Sequence, residues 1–274
     1  MKLDLNGCCA YAYTGGKAFD ATLPGVVFVH GALNDHSVWI LQSRYLAHHG
    51  HAVLAVDLPG HGRSSGPALG VAAAGAWVAA LVRASGLRRA ALVGHSMGSL
   101  VALEAAAHLG THARQLVMVG TAYPMRVSPK LLTLARDDAE RAIDLVNALS
   151  HSTHAARPSC PGPGFSIHGG ARALMRRLQR AAEPGNLFVD DFSACDAYDG
   201  LAEAAPRLGC PVTLVLGTRD QMTSPKAVAP LVEALRPRVV HLPSGHDLMA
   251  EAPDALLEVL RKVVSSDETA SVPA

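Results

Sequence analysis

A serine between glycines, Gly94-His95-Ser96-Met97-Gly98, follows directly on the apolar run Ala90-Ala91-Leu92-Val93. The residues after it, Ser99 to Leu109 (SLVALEAAAHL), are helix formers. A strand that ends in this way and restarts as a helix must turn tightly. Such a turn lifts the serine hydroxyl above the sheet, and glycine is required on either side because a bulkier residue would meet the neighbouring strand and helix. Ser96 is therefore a candidate nucleophile. A serine hydroxyl attacks poorly near neutral pH. It needs a base to take its proton, an acid to orient that base, and donors to hold the oxyanion.

Each part has a candidate at the end of an apolar run. His246, in Leu242-Pro243-Ser244-Gly245-His246-Asp247, is the base candidate. Asp220, in Leu216-Gly217-Thr218-Arg219-Asp220, is the acid candidate, able to accept the imidazole Nδ1–H and fix the tautomer. Asp247 is a poor rival, because a sequence neighbour cannot readily reach back to the His246 Nδ1. Backbone N–H groups should bind the oxyanion. Met97 follows the nucleophile, and Ala32 lies in His30-Gly31-Ala32-Leu33, where Gly31 allows close approach. Each such donor is worth about 2.7–4 kcal/mol in the transition state.

These residues need a scaffold that brings strand ends together. Val26–Val29, Ala52–Val56, Ala90–Val93, Leu116–Val119, Val212–Leu216 and Val239–Leu242 read as short buried strands. Between them Ser37–His48, Val71–Ser85, Ser99–Leu109 and Ala227–Leu235 read as helices, and Ala250–Val264 as a closing helix. Alternation of this kind predicts an α/β fold, a parallel sheet covered by helices on both faces. Lys2–Thr14 reads as an edge hairpin. The alternation breaks between Ala122 and Leu201. There Pro129–Ser150 has a helical period, Ala171–Ala182 is a second helix, and Arg157–Gly170, rich in Pro and Gly, reads as loop. A mostly helical insertion at this point looks like a cap over the strand ends, where ligands of open parallel sheets bind.

Together the motifs resemble the α/β-hydrolase superfamily, in its capped esterase and lipase-like branch. The matching residues are His30-Gly31-Ala32 with Trp39 downstream, Asp57-Leu58-Pro59-Gly60-His61-Gly62-Arg63-Ser64, Gly94-His95-Ser96-Met97-Gly98, Gly217-Thr218-Arg219-Asp220 and Gly245-His246. The resemblance implies the α/β-hydrolase fold, with 1–121 and 202–274 as core, 122–201 as a mainly helical cap and 265–274 as a flexible tail. It implies Ser96, Asp220 and His246 as nucleophile, acid and base. Some relatives carry the acid after the preceding strand; here that stretch reads Gly120-Thr121-Ala122-Tyr123, without a carboxylate, which favours Asp220.

Serine chemistry argues against the family's aspartate-dependent dehalogenases and epoxide hydrolases. The expected reaction is hydrolysis of a small or medium carboxylic ester through an acyl-enzyme. Alternatives on the same residues are carbon–carbon bond hydrolysis, lactonase, thioesterase or perhydrolase activity, and, in another class, ligand binding without turnover. No metal or organic cofactor is implied. A net charge of +1 gives no case for nucleic acid, and the longest apolar stretch, Pro67 to Val82, is short of a membrane span. The expected partner is a small-molecule ester and the expected location cytoplasmic; oligomeric state is not legible.

Other residues read as structural. His30 should hold its loop by hydrogen bonds, Asp57 and Pro59–Ser64 should shape the rim, and His95 should pack beneath the turn. His48, His49, His51, His151 and His154 read as surface histidines. Arg172, Arg176, Arg177 and Arg180 read as a solvated helix face, with attraction of an acidic substrate as the minority reading. Cysteines 8, 9, 160, 195 and 210 read as free thiols. Phe165, His168 and Phe192 are candidates for substrate contact.

Overall fold

In a computed structural model, residues 1–152 and 166–265 are described. Their centre is an eight-stranded sheet in the order β1-β2-β4-β3-β5-β6-β7-β8. The strands are β1 (Lys2–Leu5), β2 (Cys8–Tyr13), β3 (Gly25–Val29), β4 (Ala52–Val56), β5 (Ala90–His95), β6 (Ala113–Val119), β7 (Val212–Gly217) and β8 (Arg238–Leu242). β1 and β2 form the antiparallel hairpin at one edge, and every pair from β4 to β8 is parallel. β3, β4, β5 and β6 are buried throughout, which is why they are continuous apolar runs rather than alternating ones.

Helices cover both faces. α1 (Ile40–His48) lies on one face and α2 (Val71–Ala84) and α3 (Met97–Leu109) on the other. α2 and α3 approach closely at Gly75, where a Cβ would stand 2.2 Å from the Glu104 side chain. Between β6 and β7 the chain forms α4 (Pro129–Asp137), α5 (Ala139–Ser150), α6 (Ile167–Ala181), α7 (Leu187–Ala197) and α8 (Leu201–Ala204). α9 (Ala229–Leu235), α10 (Leu248–Glu251) and α11 (Pro253–Ser265) complete the fold. α4 to α7 have an apolar cluster of their own, including Ala135, Ile143, Val146, Leu178 and Phe188, and Leu33 of the core packs into it. Among the described residues no helix is long and apolar enough to cross a membrane.

The insertion and the closing helix differ from their sequence-based reading in several ways. The helical period of Pro129–Ser150 runs through a break at Asp138, which leaves helical geometry (φ −154°, ψ 84°) and caps α5 by accepting the Arg141 N–H at 3.0 Å. α6 starts at Ile167, because Ser166 caps it by accepting the Gly169 N–H at 3.0 Å. The glycines at 169 and 170 are thus helical, not loop. The closing helix is split into α10 and α11, with proline opening the second. Cys160, His154 and Phe165, and the tail from residue 266, lie outside the described residues.

Candidate active site

Ser96 sits alone between β5 and α3 at φ 52°, ψ −123°. Non-glycine residues rarely occupy this region, and here the strain is held by the surrounding backbone. The Ser96 N–H donates to the Val119 carbonyl at 2.9 Å. A Cβ on Gly94 would lie 2.0 Å from the Gly98 carbonyl oxygen, and one on Gly98 would lie 2.2 Å from that of His30. Both neighbours are backbone and cannot swing away, so both glycines are sterically required. Met97 is the first residue of α3, so its N–H has no acceptor within the helix.

β7 and β8 run in parallel and deliver the loops that carry Asp220 and His246. The two side chains are buried and joined, His246 Nδ1 lying 2.8 Å from Asp220 Oδ2. Asp220 is itself held. Its Oδ1 accepts the N–H groups of Met222 and Thr223 at 2.8 and 2.7 Å, and its Oδ2 accepts the Thr223 hydroxyl at 2.7 Å. Burial alone would raise the Asp220 pKa, but the neighbouring His246 and the Thr223 bonds outweigh it and hold the carboxyl below its ordinary value. Thr223 carries no signal in sequence beyond lying three residues after Asp220.

His95 does pack beneath the turn. Its Nε2 donates to the His246 carbonyl at 2.9 Å and its ring lies 4.7 Å from that of His246. Burial first, and His246 second, push it down to about 4, so the ring is neutral. His30 is buried and bonds to Gly31 and Leu58, in keeping with a loop-holding part.

Ser96, His246, Thr223 and Ala32 line one cavity of about 480 Å³. The insertion supplies much of its apolar wall, through Met125, Val146, Leu174, Met175 and Phe192. Among the described residues no hydrogen bond joins the Ser96 hydroxyl to His246; such bonds commonly tighten only around substrate. Cys195 also reaches the cavity, but burial pushes its thiol far above the ordinary value, which leaves it unsuited to attack near neutral pH.

The insertion is fastened to the core at points the sequence did not mark. The Ser150 carbonyl accepts the N–H groups of His246 and Asp247 at 2.9 and 3.0 Å. His151, read as a surface residue, is buried. It bonds to the Asn147 carbonyl at 2.8 Å, stands 3.4 Å from Asp247 and packs against the His168 ring at 4.1 Å. The arginines of α6 are half-buried (Arg172, Arg176) or exposed (Arg177, Arg180), as a solvated face requires, but each is paired. Arg172, Arg176 and Arg180 pair with Glu140 and Asp144 of α5, and Arg177 pairs with Asp35. That pairing removes the basis for an acidic-substrate reading. His48 and His49 are exposed as expected.

Among the described residues one group has metal-ligand types in reach of one another, Asp35, His36 and Asp57. Its atoms are already used. His36 Nδ1 bonds Asp57 Oδ1 at 2.7 Å, Asp57 Oδ2 takes the Arg63 N–H, and Asp35 takes Ser37 and Arg177. The residues fit a network of protein donors and acceptors better than a cation.

The fold and this arrangement define a hydrolase of the α/β class. A model of the alpha/beta hydrolase family matches residues 26–259, and the chain belongs to that family. It is 28% identical over 279 residues to an esterase of Mycobacterium tuberculosis, covering 92% of this chain and 85% of that protein. It is 30% identical over 261 residues to a non-heme chloroperoxidase of Streptomyces lividans, covering 88% of this chain and 91% of that protein. In fold it resembles the crystal structure of the enol-lactonase from Burkholderia xenovorans LB400, with a TM-score of 0.82, 22% identity, and coverage of 97% and 100% of the two chains.

Proposed function

We propose that the protein hydrolyses small or medium carboxylic esters through an acyl-enzyme on Ser96. The observation that carries this reading is the buried Asp220–His246 bond at the edge of the apolar cavity that also exposes the strained Ser96. In this reading the Ser96 hydroxyl attacks the ester carbonyl carbon and its proton passes to His246 Nε2. Asp220 holds the imidazolium through Nδ1–H, and Thr223 fixes Asp220. The carbonyl oxygen becomes an oxyanion facing the N–H groups of Ala32 and Met97. The alcohol leaves with the proton from His246. Water then attacks the acyl-enzyme with His246 again as base, releasing the acid and restoring Ser96. Residues 122–201 act as the cap that bounds the acyl pocket. Similarity to an esterase is in keeping with this reading. The test is turnover of a chromogenic butyrate ester together with labelling by a fluorophosphonate probe. Both should be lost in Ser96→Ala, and undiminished turnover by the purified variant would refute the reading.

A second reading has one specific support, the 30% identity to a chloroperoxidase over most of the chain. Hydrogen peroxide in place of water would release a peracid from the same acyl-enzyme. Oxidation of bromide in acetate and peroxide, dependent on Ser96, distinguishes the two outcomes.

A further inference from the structure

The peptide that carries the Ala32 N–H is held from both sides. His30 Nε2 accepts the Leu58 N–H at 3.0 Å, so the ring proton is on Nδ1 and is donated to the Gly31 carbonyl at 2.9 Å. The Gly31 carbonyl and the Ala32 N–H belong to one planar peptide, so this bond fixes the plane of the N–H and polarises it. On the far side, the Leu33 N–H donates to Asp191 Oδ2 at 2.8 Å. Leu33 stands at φ 52°, a left-handed conformation that leucine adopts only where its surroundings impose it.

Asp191 belongs to α7, in the insertion, and has no sequence proximity to the loop it holds. The same Oδ2 lies 2.9 Å from His61 Nε2, and His61 Nδ1 lies 3.0 Å from the Pro59 carbonyl. Both ring nitrogens face acceptors, so both carry protons, and His61 is an imidazolium. Asp191 and His61 are 1% and 2% exposed. A carboxylate buried to that degree needs a counter-charge, and His61 supplies it. The pair thus leaves Asp191 free to accept the Leu33 N–H as an anion, the stronger form of that bond.

We propose that Asp191 is a positioning residue for the oxyanion loop: from the helical insertion its carboxylate pins Leu33 and thereby aims the Ala32 N–H into the cavity, with His61 as its charge partner. This rests on the reading of Ala32 as an oxyanion donor. It makes the seating of α7 a condition for the donor's geometry.

The experiment compares Asp191→Ala, Asp191→Asn and Arg177→Ala for ester turnover and for hydrogen exchange of the peptide spanning 32–36. Asp191→Ala should lower kcat about 10- to 100-fold with KM changed less than about threefold, because the loss is one of transition-state geometry. Asp191→Asn keeps an oxygen for Leu33 and should recover kcat to within about fivefold of wild type. Arg177→Ala cuts another of the links between the insertion and the core, the 2.6 Å pair with Asp35, and should leave kcat unchanged. Protection of the 32–36 amides should fall in Asp191→Ala alone. If Asp191→Ala does not fold, Asp191→Ser, too short to reach Leu33, replaces it. Unchanged kcat, or a rise in KM alone, overturns the proposal, as does unchanged protection. Loss of protection in a protein that turns over no ester would uphold the loop contact and reject the ester reading instead.

Discussion

The carbonyl of Ser150 accepts the backbone N–H of His246 at 2.9 Å, so the last residue of α5 is bonded to the loop that presents the imidazole. The same corner is secured by Glu251, whose carboxylate accepts the N–H and hydroxyl of Ser152. Removing that carboxylate leaves the Ser152 groups without their charged acceptor. Glu251→Ala should cost about 1.5–3 kcal/mol of stability, read from urea unfolding, and should lower kcat because the His246 loop loosens with it.

Asp220→Asn should keep the geometry but favour the wrong imidazole tautomer. Its kcat should fall by about 10³–10⁴-fold, the loss that the proposed acyl-enzyme chemistry predicts from serine triads in general, with the protein still folded by circular dichroism. Thr223→Val removes only the hydroxyl that donates to Asp220 Oδ2. A drop of about tenfold in kcat, with melting temperature little changed, is the expected result in steady-state kinetics.

Gly98→Ala forces a Cβ to within 2.2 Å of the His30 carbonyl oxygen, whereas Gly50→Ala meets nothing within 4 Å and strains only its own φ of +84°. The first should destabilise by about 3 kcal/mol or more and the second by about 1 kcal/mol. Denaturant midpoints of the two variants measured side by side would show whether backbone crowding at the turn is the larger effect.

The pH dependence of stability should have two arms. Asp57 and Asp220 are buried, which alone would raise them, yet His36 and His246 with their hydrogen bonds hold both below 3.8. Their contribution is full above the unfolded value and is lost as pH falls through the folded ones. His61 runs the other way. Burial alone would lower it, but Asp191, the Pro59 carbonyl and Asp57 raise it above 6.5, with the neutral His30 ring 4.8 Å away. Its contribution is present below 6.5 and is lost as pH rises through the folded value. The stability gap between wild type and His61→Gln should therefore be widest below pH 6.5 and narrow as pH rises above it, as read from urea midpoints.

What the sequence disclosed follows from where each signal is local. The buried strands are unbroken apolar runs, so β3 to β7 lie where their composition places them, and the sites at their ends follow. The pairing of Asp220 with His246 is also legible, because each sits just beyond a strand and the strands are neighbours. α7 is less so. No helix is read from the sequence over 187–197, and nothing near Asp191 in sequence indicates that it is buried against His61. The break at Asp138 is hidden because α4 and α5 continue the same apolar period on either side of it. His151 is misread for a related reason: it precedes a Pro- and Gly-rich stretch, and its burial depends on Asp247 and His168, which only the fold brings to it.

α5 and α7 each reach a different loop of the candidate site, one through the Ser150 carbonyl and the other through Asp191. The insertion is consequently not an interchangeable module. Grafting the equivalent helices of a relative to obtain another substrate range would have to supply an acceptor for the His246 N–H and a carboxylate for Leu33 and His61. A chimera matched only in pocket shape would inherit the new walls and lose the framework that aims the chemistry.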